Sequence, residues 1–328
     1  METATLTLPL IREEWLARRR ETITATDVAK IVGVSPWGGP LDVYLDKKGL
    51  AEIAETPAMR LGKRLQPVVL DLYEQDTGTH LRRYGDTELV VCPNLSWAAA
   101  TPDAEIAQTL RPVEAKTAGA RQMSRWGEAG TDDVPEEYLI QVQWQMLVTG
   151  AQAADLAVLL AGQDFRIYPI RRHETLIAAL VDQCDRFRRD HLAAEVMPAL
   201  DGSASAREYL RRAFPRDTRP ELLASDERLD VLACRLRDLR QARDNYGAEV
   251  ETVENLIKAD IGEAAGIQGA NWRATWKATK ASTVTDYAAM VREMAVLIDP
   301  AEYAPIHERN TTTKPGSRRF LFKFNETT

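Results

Sequence analysis

The chain contains the sequence Thr101-Pro102-Asp103-Ala104-Glu105-Ile106 and, shortly after it, Arg111-Pro112-Val113-Glu114-Ala115-Lys116-Thr117. Both segments predict short strands, because isoleucine and valine favour β structure and the residues between the segments are few enough for a hairpin. Side chains alternate between the two faces of a strand, so Glu114 and Lys116 point to one face and Ala115 to the other. If Asp103 lies beside Glu114 on the neighbouring strand, two carboxylates and one ammonium group converge.

This predicted cluster has the composition of a metal-dependent hydrolytic site. Two carboxylates suit a hard, oxygen-seeking cation such as Mg²⁺, for which Mn²⁺ can substitute. A lysine beside them can orient or deprotonate an attacking water and offset charge on a phosphoryl oxygen. A glutamate and a lysine two residues apart on a strand also commonly form a solvated ion pair. The sequence alone leaves that alternative open.

The composition limits the class of protein. The chain has 328 residues, 45% of them hydrophobic, which is enough for one large domain or two ordinary ones with packed cores. Its formal net charge of −7 argues against nonspecific coating of DNA. It leaves room for a nuclease that keeps a basic track inside an acidic exterior.

Compartment and redox state follow from what the sequence lacks. It has no apolar run of membrane-spanning length and no signal-peptide pattern, so we expect a cytoplasmic protein with no membrane partner. Its three cysteines, Cys92, Cys184 and Cys234, are far apart and predict reduced thiols. They cannot supply the four thiolates of an iron–sulfur cluster.

The N-terminal region predicts an anion-binding turn. Residues 12–20 favour a helix that ends in three arginines, and Thr24-Ala25-Thr26-Asp27 then supplies capping residues for a helix to about Val32. A helix N-terminus with free amides and an arginine just upstream binds anions. The alternative is a capped helix with solvated arginines.

Two further helices are predicted around the cluster. Apolar residues recur with helical spacing over residues 59–75, and Gly78 follows as a stop signal. From about Glu136 to Val148, Leu139, Val142 and Met146 form a core face, and Gln141 and Gln145 lie one turn apart on another face. Strands are expected at 80–91, 95–101, 154–161 and 165–171, followed by a helix at 176–197.

The composition changes between Pro198 and Asp226, where Gly, Ser, Pro and charge occur without a period. We therefore expect domains at 1–200 and 201–328. A heptad pattern predicts one long helix at about 226–262, whose apolar positions need a partner helix in the same chain or a neighbouring subunit. A small α+β element is expected beyond it, with strands at 271–279 and 318–324 around a helix at 286–298.

The Pro-Asp and Glu-x-Lys pattern resembles the active site of the PD-(D/E)XK nucleases. Further motifs resemble the branch that contains the lambda exonuclease and YqaJ-like viral recombinases, over roughly the first 190 residues. They are Trp15 through Asp27, Gly33-Val34-Ser35-Pro36-Trp37, Met59-Arg60-Leu61-Gly62 and Tyr138-Leu139-Ile140-Gln141-Val142-Gln143. The resemblance implies an α/β (α+β) restriction-endonuclease-like core with a mixed central sheet flanked by helices.

The resemblance also implies roles for single residues. The arginine and hydroxyl that hold the 5′-terminal phosphate in the family fall on Arg19 and Thr26, and Gln141 helps hold the lysine or the reacting water. The family carries a metal-binding glutamate four residues after Gly62, but this chain has Gln66 there. An amide oxygen can ligate Mg²⁺ or hold its water, but it brings no negative charge.

The implied activity is a Mg²⁺-dependent 5′-to-3′ exonuclease on linear double-stranded DNA, with Asp103, Glu114 and Lys116 as its catalytic core. It would leave 3′ single-stranded tails for phage-type recombination. Family members form toroidal trimers and act with a single-strand annealing protein. Two alternatives remain, a non-catalytic DNA-end-binding module decayed at Gln66 and an endonuclease on the same fold.

Overall fold

The computed structural model describes residues 5–6, 11–50, 55–219, 221–279 and 286–312. The chain divides into two compact units, residues 1–213 and 214–328. The division falls after the predicted position at 200/201. The reason is the helix Ala204–Ala213, whose Ala206 is buried in the hydrophobic core of the first unit.

The first unit contains seven α-helices among its described residues. They are α1 (Arg12–Glu21), α2 (Ala25–Ile31), α3 (Pro40–Lys47), α4 (Pro57–Thr77), α5 (Glu136–Thr149), α6 (Glu174–Phe187) and α7 (Ala204–Ala213). Capping fixes the ends of α4: the Thr56 hydroxyl accepts a hydrogen bond from the Met59 amide, and Gly78 ends the helix with φ of 68°. A 3₁₀ segment covers Ala120–Arg125, and a π segment extends α6 over Arg188–Ala193.

Nine strands of the first unit form two sheets. They are β1 (Thr5–Leu6), β2 (Ile23–Thr24), β3 (Leu81–Arg83), β4 (Val90–Cys92), β5 (Leu95–Ala100), β6 (Ala104–Ile106), β7 (Pro112–Ala118), β8 (Ala153–Leu160) and β9 (Asp164–Arg171). The first sheet has the order β1-β4-β5-β2 and the second the order β3-β6-β7-β8-β9. In the second sheet β7 and β8 are parallel and the other neighbours are antiparallel, so this central sheet is mixed.

The prediction of one strand over residues 80–91 is wrong. The segment forms two short strands, β3 and β4, which belong to different sheets. Between them the chain turns at Tyr84, whose amide donates to the Asp103 carbonyl, and at Gly85, whose amide donates to the Glu88 carboxylate. The turn carries the chain from one sheet to the other.

Helices cover the two faces of the central sheet. Val69, Leu70 and Tyr73 of α4 pack with Val113 and Ala115 of β7 on one face. On the opposite face, Val142 and Met146 of α5 pack with alternate residues of β8. The predicted α/β fold, with a mixed sheet flanked by helices, is therefore confirmed.

The second unit contains the helix α8 (Glu227–Ile261), strands β10 (Gly266–Gln268) and β11 (Arg273–Thr275), and helices α9 (Tyr287–Leu297) and α10 (Pro300–Asn310). The Asp226 carboxylate caps α8 by accepting from the Leu229 amide at 2.7 Å. The strand expected in 271–279 pairs with β10 as an antiparallel hairpin. The strand expected at 318–324 lies outside the described residues. Within the described ranges, none of the helices has the length and apolar character that crossing a bilayer requires.

Candidate active site

Glu114 is the most heavily bonded carboxylate of the central sheet. It lies on β7, the middle strand, and is only 2% exposed. The Lys116 ammonium and the Gln141 side-chain amide both donate to its Oε1, the amide at 2.5 Å, and Gln145 donates to its Oε2 at 2.6 Å. The alternative of a solvated Glu–Lys pair is therefore wrong, because this pair lies in the interior.

Asp103 lies in the bend between β5 and β6 rather than within a strand. Its Oδ2 accepts from the Ala115 backbone amide at 2.8 Å, which holds it against β7 beside Glu114. Its Oδ1 accepts from the side-chain amide of Gln66 on α4 at 2.7 Å. The structure thus brings Gln66, Asp103, Glu114, Lys116 and Gln141 together.

The alternation of side chains along β7 explains this geometry. Ala115 faces the α4 layer, where it joins the apolar core. Glu114 and Lys116 face α5, which supplies Gln141, Gln145 and Tyr138. The Lys116 ammonium lies 5.2 Å from the centroid of the Tyr138 ring, close enough for a cation–π contact.

The charges of the cluster are unbalanced. Burial and the neighbouring Glu114 carboxylate raise the pKa of Asp103 to about 8. Burial opposes the charged form of Lys116, but the Glu114 and Asp103 carboxylates outweigh it and raise the pKa of this ammonium group. Two carboxylates share one ammonium group, so an added cation would relieve the repulsion that raises the Asp103 pKa.

The donor set fits a hard divalent cation. Asp103 and Glu114 offer carboxylate oxygens, and Gln66 offers an amide oxygen once its side chain rotates. Across the described ranges, no group of three or more His, Cys, Asp or Glu side chains is arranged to hold a metal ion. At this site the side chain that contacts Asp103 from α4 is the amide of Gln66, so the cluster has two carboxylates rather than three.

Gln145 belongs to the site, although sequence reasoning assigned only Gln141. Both glutamines are buried, and Gln145 has no exposed surface. The Gln145 Oε1 is buried and finds no hydrogen-bond partner among the described residues. The signal was present in the sequence, because residues four apart on a helix share a face and Gln145 therefore accompanies Gln141.

Arg19 and Thr26, predicted to bind a 5′ phosphate, are adjacent. Arg19 Nη2 donates to the Thr26 hydroxyl at 3.4 Å, and the Arg19 guanidinium lies 5.2 Å from the Trp15 ring centroid. The Arg19 Nε is buried and has no partner in the part of the chain that the structure describes. The helix expected to bind the anion, α2, has only seven residues, so the side chains must supply the site.

Strand pairing relates the position of Thr26 to that of Asp103. The strand β2 runs parallel to β5, with Thr24 opposite Ala99. Parallel strands end at the same edge of a sheet. The start of α2 after β2 and the Asp103 bend after β5 therefore lie at one edge.

Comparison with known proteins agrees with the resemblance that the sequence motifs indicate. Residues 14–152 match the profile of the YqaJ-like viral recombinase domain. The uncharacterized protein YqaJ of Bacillus subtilis (strain 168) is 28% identical over 275 residues, which cover 81% of this chain and 83% of that protein. An uncharacterized protein of Acanthamoeba polyphaga mimivirus is 25% identical over 154 residues, which cover 44% of this chain and 28% of that protein.

Solved structures are also similar to the chain. An alkaline exonuclease (LHK-Exo) from Laribacter hongkongensis is 23% identical, with a TM-score of 0.45, and the match covers 61% of this chain and 97% of that one. A phage related exonuclease from Haemophilus somnus 129PT is 14% identical, with a TM-score of 0.41, and the match covers 53% of this chain and 96% of that one.

The first unit is thus a mixed α/β domain built around a carboxylate–lysine site. Residues 14–152 are similar to the YqaJ-like viral recombinase domain, and the predicted resemblance to that family is confirmed.

Proposed function

We propose that the protein is a Mg²⁺-dependent deoxyribonuclease that degrades linear double-stranded DNA from its 5′ ends and leaves 3′ single-stranded tails. The observation that carries the proposal is the buried Glu114, bonded to Lys116, Gln141 and Gln145 with Asp103 beside it. The similarity of residues 14–152 to the YqaJ-like viral recombinase domain supports a DNA substrate and a nuclease role.

In this mechanism Asp103, Glu114 and Gln66 would hold Mg²⁺ (or Mn²⁺), which would supply Lewis-acid stabilisation of charge on the phosphoryl oxygens. Lys116 stays protonated because its carboxylate neighbours raise its pKa, so it orients the attacking water and donates to a phosphoryl oxygen rather than acting as a base. Gln141 and Gln145 act through Glu114, whose carboxylate they hold in a fixed orientation.

Polarity comes from the pair of Arg19 and Thr26. A 5′-terminal phosphate takes the place of the long Arg19–Thr26 contact and satisfies the unpartnered Arg19 Nε. Because this pair and Asp103 lie at one edge of the sheets, an anchored 5′ end leaves the next phosphodiester near the carboxylates.

Linear duplexes labelled at either end, incubated beside a closed circle with and without Mg²⁺, test the activity. We expect label release from 5′ ends alone, no cutting of the circle and no reaction after chelation. Cutting of the circle would favour the endonuclease alternative. Binding without cleavage at any Mg²⁺ or Mn²⁺ concentration would favour the end-binding module.

A matched pair of substrates tests the phosphate pocket. Duplexes with a 5′ phosphate are expected to be degraded faster than those with a 5′ hydroxyl, and Arg19→Ala is expected to abolish the difference. If the wild-type protein degraded the two kinds of duplex at equal rates, Arg19 and Thr26 would not bind the 5′ phosphate.

The long helix α8 supports a homo-oligomer. Its heptad positions Leu229, Leu232, Leu239, Tyr246, Val250 and Val253 are all exposed. An apolar seam of this kind needs a partner helix, which a neighbouring subunit would supply.

Leu236→Asp tests this interface, because a carboxylate in the seam opposes burial. We expect the variant to sediment as a smaller species than the wild type, with unchanged cleavage per active site. Equal masses and equal helix content would show that the seam is not a packing surface. We further propose that the oligomer is a trimer, as the resemblance implies. The protein would act in the cytoplasm of a bacterial or phage-infected cell, and a single-strand annealing protein would take up the 3′ tails.

A further inference from the structure

Trp37 is a large aromatic side chain left in solvent. It lies in the turn between α2 and α3, where its backbone amide donates to the Ser35 hydroxyl at 3.2 Å. It is 54% exposed, whereas Trp126 and Trp144 of the same unit are buried. Packing within the unit therefore does not account for Trp37.

The exposed ring lies close to the candidate active site. The centroid of the Trp37 ring is 5.7 Å from that of Tyr138, and the Tyr138 centroid is 5.2 Å from the Lys116 ammonium. Tyr138 also stacks on the buried Trp126, with centroids 5.4 Å apart and an interplanar angle of 26°. Trp126, Tyr138 and Trp37 thus form an aromatic group, in which Trp126 is buried and Trp37 is exposed to solvent.

Trp37 also forms one wall of a cavity of about 300 Å³. This volume is at the lower end of the range that small-ligand sites occupy. Its lining combines the apolar and aromatic Leu45, Leu50 and Tyr209 with two basic and two acidic side chains, Lys30, Arg212, Asp42 and Glu208. Apolar and aromatic walls suit a planar base. Both carboxylates are engaged within the protein, because Glu208 accepts from Arg212 at 3.1 Å and Asp42 accepts from the Gly39 amide at 2.8 Å.

We propose that Trp37 stacks on an unpaired nucleobase of the DNA strand being cut and that the adjoining cavity receives this base. The inference rests on the proposed function, because it takes DNA as the substrate. The carboxylates and Lys116 lie in a largely buried cluster, so a duplex end must open before its phosphodiester can approach them. Stacking on an indole ring replaces the stacking that the base loses on unpairing.

Binding measurements in a chelating buffer test the proposal without cleavage. The probe is an oligonucleotide duplex whose 5′ end is splayed and carries 2-aminopurine, a fluorescent base that is quenched when stacked. We expect Trp37→Ala to weaken binding of the splayed duplex about tenfold and to abolish quenching. Trp37→Phe is expected to retain most of both, because a phenyl ring still stacks.

Trp276→Ala is the matched control, because Trp276 is also 54% exposed but lies in the second unit. It is expected to bind and quench like the wild type. Undiminished binding and quenching by Trp37→Ala, or an equal loss in the control, would overturn the inference while leaving the nuclease proposal intact. Trp37-dependent quenching in a protein that never cleaves DNA would instead overturn the nuclease proposal and retain the stacking site.

Discussion

Asp27 and Asp103 both lie in the first unit, the first buried and the second partly buried, and their surroundings shift their pKa values in opposite directions. The Asp27 carboxylate forms a salt bridge with Lys47 at 2.6 Å. It also accepts hydrogen bonds from the Thr24 amide and hydroxyl. Burial opposes its ionisation, but Lys47, Arg19 and these hydrogen bonds together lower the pKa of Asp27. Asp103 faces Glu114, and burial with this like charge raises its pKa to about 8.

This difference is the one expected between a structural carboxylate and the metal-binding carboxylate proposed at Asp103. The Asp27–Lys47 pair is complete, and it fixes the start of α2 against α3. At Asp103 two carboxylates compete for one ammonium group, which leaves negative charge for a cation that binds later. Perturbed carboxylates of the second kind are typical of catalytic sites.

The largest effect is expected when the complete pair is broken. Lys47→Met leaves the Asp27 carboxylate buried without its cation, which costs about 3–5 kcal/mol of unfolding free energy. Urea denaturation of the variant and the wild type measures the loss. A change below about 1 kcal/mol would mean that Asp27 does not depend on Lys47.

In the cluster around Asp103, substitution of Glu114 or Lys116 is expected to reduce catalysis. Glu114→Gln removes a metal-binding charge, and Lys116→Ala removes the group that orients the water. Each is expected to reduce turnover by a factor on the order of a hundred or more, roughly 2.7 kcal/mol of barrier, with DNA binding largely retained. Initial rates at saturating Mg²⁺, with parallel binding and denaturation measurements, check this. Near-normal cleavage would remove these residues from the mechanism.

The two aspartates also predict opposite dependences of stability on pH. Asp103 has a raised pKa, so its contribution to the stability of the metal-free protein is lost as pH rises from its ordinary value of 3.8 through about 8. Asp27 has a lowered pKa, so its contribution is present above 3.8 and is lost as pH falls through the folded-state value.

Asp103→Asn separates the two contributions. Chemical denaturation in the presence of a chelator measures the free energy of unfolding at about pH 6 and about pH 9. We expect this free energy to be lower at the higher pH in the wild type, and we expect the variant to lack this decrease. Added Mg²⁺ is expected to reduce the loss in the wild type alone. An equal loss in both proteins would locate the titrating group elsewhere.

The smallest expected effect is at Gln66. Gln66→Glu adds a third carboxylate, and Mg²⁺ binding is mainly Coulombic, so we expect a several-fold lower Mg²⁺ requirement with little change in saturated turnover. A metal titration of both proteins measures this. An unchanged requirement in an active enzyme would mean that Gln66 is not at the metal site. Activity only in the variant would support the alternative that Gln66 marks a lost function.

The sequence predicted the parts of the site that depend on local rules. Strand alternation places Glu114 and Lys116 together and Ala115 apart, and the structure has that arrangement. Helix periodicity could not show that Gln145 is buried, because the packing of α5 against β7 depends on tertiary structure. For the same reason the sequence could not show that Trp37 lies beside Tyr138, since the two residues meet only in the folded unit.

The hydrogen bond from the Ala115 amide to Asp103 offers a spectroscopic reporter. A backbone N–H bonded to a carboxylate senses whether that carboxylate is charged, protonated or bound to a cation. The amide resonance of Ala115 is therefore expected to shift with the titration of Asp103 and again on addition of Mg²⁺. A single peptide group in the middle of the central sheet would thus report the electrostatic state of the reaction centre without any turnover.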